Sequence, residues 1–559
     1  MSIYITSIFK NIKTFFVEKN RYTRKNIFDK IYMRYYDTML WEYMKNPWQR
    51  WLGLDALAKR KFQYEMKSYS EVTDKKKLRF DEVDLEKAAN YSWEDVYMTW
   101  KLYSEQKNTF RRTNDCYEGK KSQEYAASFS WKEREFKSEF ASREANQNIW
   151  FTIQKLDILY DLELPLLKIL SDMEMRGIRI DRDFLKWLEW RLETAILELE
   201  KEIYELAWEE FNIKSPKQVW ELLFWKLGLP SAKKTKTWYS VDAEVLEQLA
   251  KKYPIAAAIS KYRHYSKLLS TYVRWLLDVA DESDCIHTSF NQTVTATGRL
   301  SSTDPNLQNI PHGDDVAWEI RKAFIPYRSE DILVAFDYSQ IEVRLLALMS
   351  WDENLLSAFR EGRDIHQVTW EFIFHKSEIS STERKFAKAV NFWVIYGISP
   401  FWLSKMLDIP QKDSRQYIDA FYASYPKVRE FYDSLLENAR KNGYVETLFW
   451  RRRYIPTIND RNRMIAQWAE REAINMPIQW SNADIIKLAM IEVQDYLNTH
   501  NFKSNMLLQV HDELVFNIVP EEKDILLVEI PRIMEHIISD CAIHLKVDTA
   551  IWKNWKECK

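Results

Sequence analysis

The spacing of hydrophobic residues changes along the chain from a helical to a mixed pattern. In residues 155–280 apolar side chains recur at three- and four-residue intervals, which predicts a helical subdomain. Two short apolar runs, residues 331–337 and 506–516, predict strands, and the second run has the polar centre of a hairpin. Residues 341–500 follow a mostly helical pattern, so the sequence predicts an α+β fold.

The part of the chain before residue 155 has a different character. Residues 107–154 are highly charged, which is typical of an exposed insertion or linker with some helix. Residues 1–106 have the pattern of mixed helix and loop. A chain of 559 residues is too long for one core, and about three to five folding units are expected.

Composition narrows the class of protein only slightly. The net charge is −2, so a nucleic-acid surface would have to come from local clusters of Lys and Arg. Four widely spaced cysteines without a CxxC pair favour neither zinc nor disulfides, and they fit a reducing cytoplasm. No apolar stretch is long enough to span a membrane. We therefore expect a cytoplasmic protein.

An aspartate lies at each of the two predicted strand regions. Asp337 ends the first apolar run, and Asp512 lies between the two runs of the hairpin. Either residue alone is equally well explained as a turn acid that meets solvent. The two are about 175 residues apart in sequence, so they meet only if their strands share a sheet. Such a pair would suit two Mg²⁺ ions and phosphoryl transfer.

A stripe of two cations and two aromatics marks the segment 384–397. Its members are four residues apart and wind slowly around a predicted helix that Gly397 ends. Cations at this spacing suit a triphosphate, and aromatic rings suit a base. On the stripe alone, a solvated cationic end with a core-packed aromatic end is the favoured explanation. The four residues are Arg384, Lys388, Phe392 and Tyr396.

Four longer motifs, in order, resemble those of family A DNA polymerases. Residues 295–311 are similar to the family's primer–template-binding stretch, and residues 337–344 to its motif A. Residues 384–397 resemble motif B, and residues 509–513 resemble motif C. The resemblance extends from about residue 155 to the C-terminus. It implies a DNA-directed DNA polymerase that acts as a monomer on primer–template DNA and deoxynucleoside triphosphates.

The resemblance also implies roles for individual residues. Asp337, Asp512 and the backbone carbonyl of Tyr338 are expected to bind two Mg²⁺ ions, with Glu513 in a supporting catalytic position. Glu342 is the expected steric gate against a ribose 2′-hydroxyl. The expected nucleotide-binding residues are Gln340, Glu342, His366, Arg384, Lys388, Phe392 and Tyr396. The expected DNA-binding residues are Arg299, Asn306, Gln308, Asn309, Arg471, Asn475, Gln479 and His511.

The implied fold is a right hand with an antiparallel palm sheet and helical fingers and thumb. A partial RNase H-like exonuclease domain is expected to precede it. The expected divisions are 1–106 for the truncated exonuclease-like domain, 107–154 for the charged linker, 155–284 for the thumb, 285–345 and 501–559 for the palm, and 346–500 for the fingers.

Residues 35–106 resemble more weakly the second half of a 3′–5′ proofreading exonuclease. Asp37, Tyr91 and Asp95 match residues of such a site. The family's opening Asp-x-Glu pair is absent from residues 1–30. We therefore expect no proofreading from a degenerate exonuclease site.

Tryptophan occurs at several positions where the family pattern has glycine. The chain has 9 Gly and 24 Trp. Together they make up about 6% of the residues, close to the usual share of glycine alone, about 7%. Some genetic codes read the codon UGA as glycine, and we hypothesise that the native host does so and that these positions are glycine in its protein. The alternative is a lineage that is truly enriched in Trp. The positions are Trp238, Trp275, Trp351, Trp393, Trp402, Trp450, Trp480 and Trp552.

Two rival functions stay open. If Trp393 and Trp480 are genuine and block the nucleotide pocket, the chain would be a catalytically impaired primer–template-binding protein. An RNA-copying polymerase is the other possibility, because template preference depends on groove shape. The acids Asp337 and Asp512 favour an active enzyme.

Overall fold

The computed structural model describes most of the chain. The described ranges are 38–45, 53–74, 83–114, 157–230, 240–310, 318–374, 380–538 and 541–552. None of the helices in these ranges is long and apolar enough to cross a membrane.

Ten strands form four antiparallel sheets within these ranges. In chain order they are β1 Ile178–Arg179, β2 Cys285–Ile286, β3 Ser289–Asn291, β4 Ser301–Thr303, β5 Ile332–Tyr338, β6 Tyr444–Glu446, β7 Arg452–Tyr454, β8 Asn505–Val510, β9 Glu513–Ile518 and β10 Val547–Trp552.

The largest sheet has four strands in the order β10-β5-β9-β8. Its middle strands are almost wholly buried, as the uninterrupted apolar runs of β5 and β9 require. Val334 of β5 pairs with Phe516 of β9 on one side and with Ile551 of β10 on the other. The sheet therefore joins three segments that are distant in sequence.

Helices make up most of the described residues before this sheet. The first four helices, α1–α4, lie in residues 38–114, well before the next helix in the chain. The last of these four, α4, continues past residue 106 into the predicted charged linker. The helices are α1 Thr38–Lys45, α2 Leu54–Phe62, α3 Tyr69–Val72, α4 Leu85–Asn114, α5 Leu164–Arg176, α6 Arg182–Ala207, α7 Pro216–Trp220, α8 Ala243–Ala250, α9 Pro254–Leu268 and α10 Arg274–Val279. Short π-helical turns adjoin α5, α7 and α10 at Ile158–Glu163, Glu221–Lys226 and Leu269–Val273.

In the part of the chain that the structure describes, nine further helices follow β5, and a small hairpin of β6 and β7 interrupts them. The helical pattern of residues 341–500 gave no sign of that hairpin. These helices are α11 Ile341–Ser350, α12 Glu353–Arg360, α13 Ile365–Phe374, α14 Ser381–Ile395, α15 Pro400–Leu407, α16 Gln411–Ser424, α17 Pro426–Asn442, α18 Arg463–Thr499 and α19 Lys523–Glu535.

The two largest of five hydrophobic clusters in the described residues support most of these elements. The main core includes the central sheet with α5, α11, α18 and α19. A smaller core lies among α6, α7, α8 and α9, and Tyr262 is buried in it. Tyr262 belongs to the basic run 261–267, so only part of that run faces solvent: Lys261 and Lys267 are exposed, whereas Arg263 donates to the carbonyl of Val241 at 2.6 Å.

Among the described tryptophans, three adopt the left-handed backbone conformation that favours glycine. Their φ angles are 59° at Trp208, 54° at Trp351 and 61° at Trp450. A side chain with a Cβ is disfavoured there by roughly 1–2 kcal/mol. This geometry agrees with the hypothesis that some Trp positions are read as glycine. Trp238 lies outside the described residues.

Trp208→Gly is expected to stabilise the chain by about 1 kcal/mol, because it removes the strained Cβ. The side chain is 91% exposed, so little packing is lost. Trp225→Gly is the matched control: Trp225 is 76% exposed but lies in a helical turn, where glycine costs about 1 kcal/mol. Chemical denaturation measures both. If both substitutions destabilise equally, the backbone conformation is not the cause.

Candidate active site

The pairing of β5 with β9 brings the acids of two distant motifs together. Asp337 lies directly opposite Glu513 in the strand register. Asp512 immediately precedes Glu513, and its carbonyl accepts a hydrogen bond from the backbone N–H of Tyr338 at 3.1 Å. The ends of the two strands are thus fixed to each other by the main chain, with Asp337 and Asp512 both partly exposed at that edge.

A two-residue turn of His511 and Asp512 joins β8 to β9. His511 has a φ of 53° and an exposed side chain. A short hairpin turn requires a positive φ, and a residue other than glycine adopts it at some cost. The turn presents Asp512 to the same edge of the sheet as Asp337.

A cation lies against Asp512 and joins it to a largely buried acid. Nη2 of Arg299 is 2.8 Å from Oε1 of Glu342 and 3.5 Å from Oδ1 of Asp512. Glu342 stands in the first turn of α11, and its side chain is 13% exposed. Burial raises the pKa of Glu342 to about 7, although the charge of Arg299 opposes the shift. The contacts join the predicted DNA-binding Arg299 to the predicted steric gate.

The oxygen atoms at this edge suit a hard divalent cation. Within the described ranges, no group of three or more His, Cys, Asp and Glu side chains could hold a metal ion. Mg²⁺, however, is usually held by only one or two carboxylates together with substrate phosphates. Asp337, Asp512 and the Tyr338 carbonyl offer that donor set, so the residues fit Mg²⁺.

The helix α14 carries the predicted triphosphate-binding stripe. A capping box of Ser380 and Glu383 begins it, and Gly397, with a φ of 67°, follows its end. Nε of Arg384 donates to Oδ2 of Asp364 at 2.6 Å. Arg384 and Lys388 are exposed. Tyr396 forms the C-cap and is half-buried, and nothing is described of the side chain of Phe392.

Asp364 also links Arg384 to His366. Its Oδ1 accepts from the backbone N–H of His366 at 3.0 Å, and the imidazole is 6% exposed. Nδ2 of Asn391 lies 3.0 Å from Nδ1 of His366 and also faces the carbonyl of Ile365. Because Nδ2 can only donate, Nδ1 accepts and the proton of the neutral ring is on Nε2.

His366 is expected to stay neutral down to an unusually low pH. Burial lowers its pKa to about 4, and the charges of Arg384 and Lys388 add to the effect while Asp364 opposes it. The unfolded chain binds the proton near pH 6.5, so stability should fall on the order of 2 kcal/mol as the pH drops from about 6.5 to 4. His366→Gln should remove this slope. An imidazole NMR resonance of His366 that titrates near pH 6.5 would contradict the prediction.

Six of the eight predicted DNA-binding residues fall into two groups. Arg471, Asn475 and Gln479 are four residues apart on α18, with Arg471 exposed and the other two half-buried. The second group is in residues 306–309, and Gln308 joins it to the motif C strand. Its members are Gln308, whose Nε2 donates to Oε1 of Gln509 at 3.0 Å; Asn306, which accepts from Ser302; and Asn309, whose carbonyl accepts from Tyr272.

Sequence reasoning missed several residues that complete these contacts. Asn482 of α18 donates from Nδ2 to Oδ1 of Asp512 at 2.9 Å. Asn391 orients His366, and Gln509 anchors Gln308. Gln509 and Asn391 lie inside motifs C and B, so their positions gave a signal. Asn482 gave none, because its partner Asp512 is 30 residues away.

Trp480 is accommodated in the core instead of filling an open pocket. Its ring is 1% exposed, and its Nε1 donates to the carbonyl of Ala296 at 2.9 Å. A methyl group added at Gly298 would lie 3.2 Å from Cγ of Trp480. At this position the large side chain therefore packs against residues 296–298. Trp393 is 38% exposed.

Two of the three exonuclease-like residues lie on a helix. Tyr91 and Asp95 are one turn apart on α4 and hydrogen-bond to each other. Burial raises the pKa of Asp95. Asp37 is outside the described residues. The absence of proofreading stays a prediction.

Comparisons with known proteins agree with the family that the motifs indicate. The model of the DNA polymerase family A matches residues 182–557. DNA polymerase I of Bacillus subtilis is 47% identical over 408 residues, which are 72% of this chain and 46% of that protein. DNA polymerase I of Geobacillus stearothermophilus is 45% identical over 405 residues, 72% and 46% of the two chains.

A solved structure resembles the whole described fold. It is the POL domain of Pol1 from M. smegmatis in complex with DNA primer-template and dNTP, with a TM-score of 0.76 and 31% identity. The match covers 93% of this chain and 82% of that one. The chain belongs to the family A DNA polymerases. It spans about half the length of the curated relatives it matches.

Proposed function

We propose that the chain is a DNA-directed DNA polymerase that adds deoxynucleotides to a primer 3′ end. The observation that carries the proposal is the register of β5 and β9, which sets Asp337 opposite Glu513 and beside Asp512. Two carboxylates at one sheet edge suit nucleotidyl transfer. Arg384 of the basic stripe lines the same cleft as Ser339 and Gln340, which follow Asp337 closely in the chain. The relative solved with primer–template and dNTP supports the same partners.

Asp337, Asp512 and the Tyr338 carbonyl are the proposed ligands of two Mg²⁺ ions. When bound, these ions activate the attacking hydroxyl and neutralise charge on the leaving phosphates. Arg384 and Lys388 bind the triphosphate from the exposed side of α14. His366 donates to it from Nε2, because Asn391 occupies the other ring nitrogen.

Glu342 excludes the ribose 2′-hydroxyl. Its carboxylate is held by Arg299 at 2.8 Å, so it cannot turn away freely to admit the extra oxygen atom. Gln340 precedes it at the start of α11 and contributes to the same subsite. Phe392 packs on the sugar and base, and Tyr396 stacks near the templating base.

The right-hand division follows from the same assignment. The palm is residues 285–345 and 501–559 with the central sheet. The fingers are residues 346–500, and the thumb is residues 155–284, where α6–α9 share a separate core. Arg471, Asn475 and Gln479 on α18, together with Gln308 and His511 near motif C, face the primer–template. Polar side chains of these types position a duplex through phosphate, sugar and minor-groove contacts. The active form is a monomer.

Primer extension tests the proposal directly. A labelled DNA primer on a DNA template, Mg²⁺ and the four deoxynucleotides should give extension, and the same primer on an RNA template should give less. Binding of the primer–template is measured in parallel by fluorescence anisotropy. Binding without extension would favour the catalytically impaired DNA-binding protein, and equal extension on RNA would favour the RNA-copying polymerase.

A second chain with the eight tryptophans of the glycine positions changed to Gly separates loss of chemistry from steric obstruction. If only the glycine version extends the primer, the function stands and the glycine hypothesis gains support. If both extend it, the pocket tolerates the tryptophans. If neither does, the polymerase proposal is wrong for this chain.

A further inference from the structure

Asn482 is a fully buried amide that contacts a proposed metal ligand. It lies on α18, five residues beyond Pro477, and is 0% exposed. Its Nδ2 donates to Oδ1 of Asp512 at 2.9 Å. A neutral amide donor stabilises the ionised carboxylate through a charge-assisted hydrogen bond and restricts its rotation.

The same amide also contacts Glu342. Burial raises the pKa of the Glu342 carboxyl, and a hydrogen bond from Asn482 opposes part of that rise. On its other side Glu342 is held by Arg299, which also lies 3.5 Å from Asp512. Asn482 and Arg299 therefore bridge the same two carboxylates, one as a neutral donor and one as a cation.

The orientation of the amide is set by these carboxylates. If the amide were reversed, its Oδ1 would face Asp512 and repel it. In the observed orientation no described residue donates to Oδ1 of Asn482, although the atom is buried. Leaving a buried acceptor without a donor is unfavourable, so the contacts to the carboxylates decide the conformation of this side chain.

From this geometry we propose that Asn482 is a positioning residue that couples the metal ligand Asp512 to the sugar gate Glu342 and thereby sets the discrimination against ribonucleotides. The inference rests on the proposed function. A carboxylate that is free to rotate admits a 2′-hydroxyl more readily. Asn482 thus acts on sugar selectivity through Glu342, without touching the sugar itself.

The test compares the binding of dGTP and GTP to a complex of the protein with primer–template and Mg²⁺. The primer ends in a dideoxynucleotide, so that binding is measured without chemistry. Asn482→Ala should lower the preference for dGTP about tenfold, mainly by improving the binding of GTP. Asn482→Asp keeps the shape but replaces the donor with a third carboxylate, and it should lower the preference at least as much.

Gln494→Ala is the matched control. Gln494 is a buried amide on the same helix, 8% exposed, and it contacts Asn498. It lies three turns, or about 18 Å, further along α18, so its loss should leave the preference unchanged. Thermal unfolding establishes that each variant is folded before the nucleotides are compared.

The possible outcomes distinguish a failure of the role of Asn482 from a failure of the proposed polymerase function. If Asn482→Ala weakens dGTP and GTP equally, or if Asn482→Asp binds both as the unaltered chain does, Asn482 only fills space and the inference is overturned. If the unaltered chain binds primer–template but neither nucleotide, the proposed polymerase function fails, and the inference fails with it.

Discussion

Asp512→Asn is expected to reduce the rate of primer extension by at least about 10³-fold, which corresponds to roughly 4 kcal/mol of transition-state stabilisation. The amide has the size of the carboxylate but lacks the charge that a divalent cation requires. Its Oδ1 can still accept the hydrogen bond from Asn482, so the fold should persist. Single-turnover extension under saturating deoxynucleotide measures the effect.

Asp337→Asn should have an effect of the same order, and the two together should lose little more than either alone. Residues that act as one unit are strongly non-additive. Asp524→Asn is the control, because Asp524 is an exposed acid in the first turn of α19. Primer–template binding should be nearly unchanged in all variants. Extension by Asp512→Asn at more than a tenth of the normal rate would exclude this site as the catalytic centre.

Glu163→Gln is expected to lower the free energy of unfolding by about 3–5 kcal/mol, the usual effect of breaking a buried ion pair. Glu163 is 0% exposed, and its Oε1 lies 2.7 Å from Nζ of Lys487 and 2.5 Å from Nη2 of Arg451. Gln292 donates to its other oxygen. Without the charge of Glu163, two buried cations would share the single carboxylate of Asp484.

An exposed ion pair provides the comparison for this variant. Glu353 and Arg360 are 2.8 Å apart, but the carboxylate side chain is 72% exposed, so Glu353→Gln should cost less than about 0.5 kcal/mol. Combining Glu163→Gln with Lys487→Met should recover part of the loss. Urea denaturation measures all three. A loss below about 1 kcal/mol for Glu163→Gln would mean that the network contributes little.

The same network makes a contribution that depends on pH. Burial alone would raise the pKa of Glu163, but the charges of Lys487 and Arg451 outweigh it and lower the pKa to about 2. Since the folded pKa lies below the unfolded value, this contribution is complete above about pH 4.5 and is lost as the pH falls towards 2. Glu163→Gln should flatten the stability profile in that interval.

Local patterns in the sequence were sufficient for the elements that carry the site. The apolar run before Asp337 predicted the strand β5, and the two runs around Asp512 predicted the hairpin of β8 and β9. The four-residue stripe and Gly397 predicted α14 and its end. Each of these signals depends on residues within a single strand or within one or two turns of a helix. Over such short distances, the spacing of apolar residues alone determines which face of the element is apolar.

The tertiary structure decided which of these elements meet. The register that sets Asp337 opposite Glu513, the contact of Asn482 with Asp512 and the pairing of Glu163 with Lys487, 324 residues away, join separate segments. Such long-range contacts produce no periodic pattern of apolar and polar residues in the sequence. They form because burial of β5 and β9 in one core fixes the strand register, and because a buried charge must find its partner wherever the fold brings one.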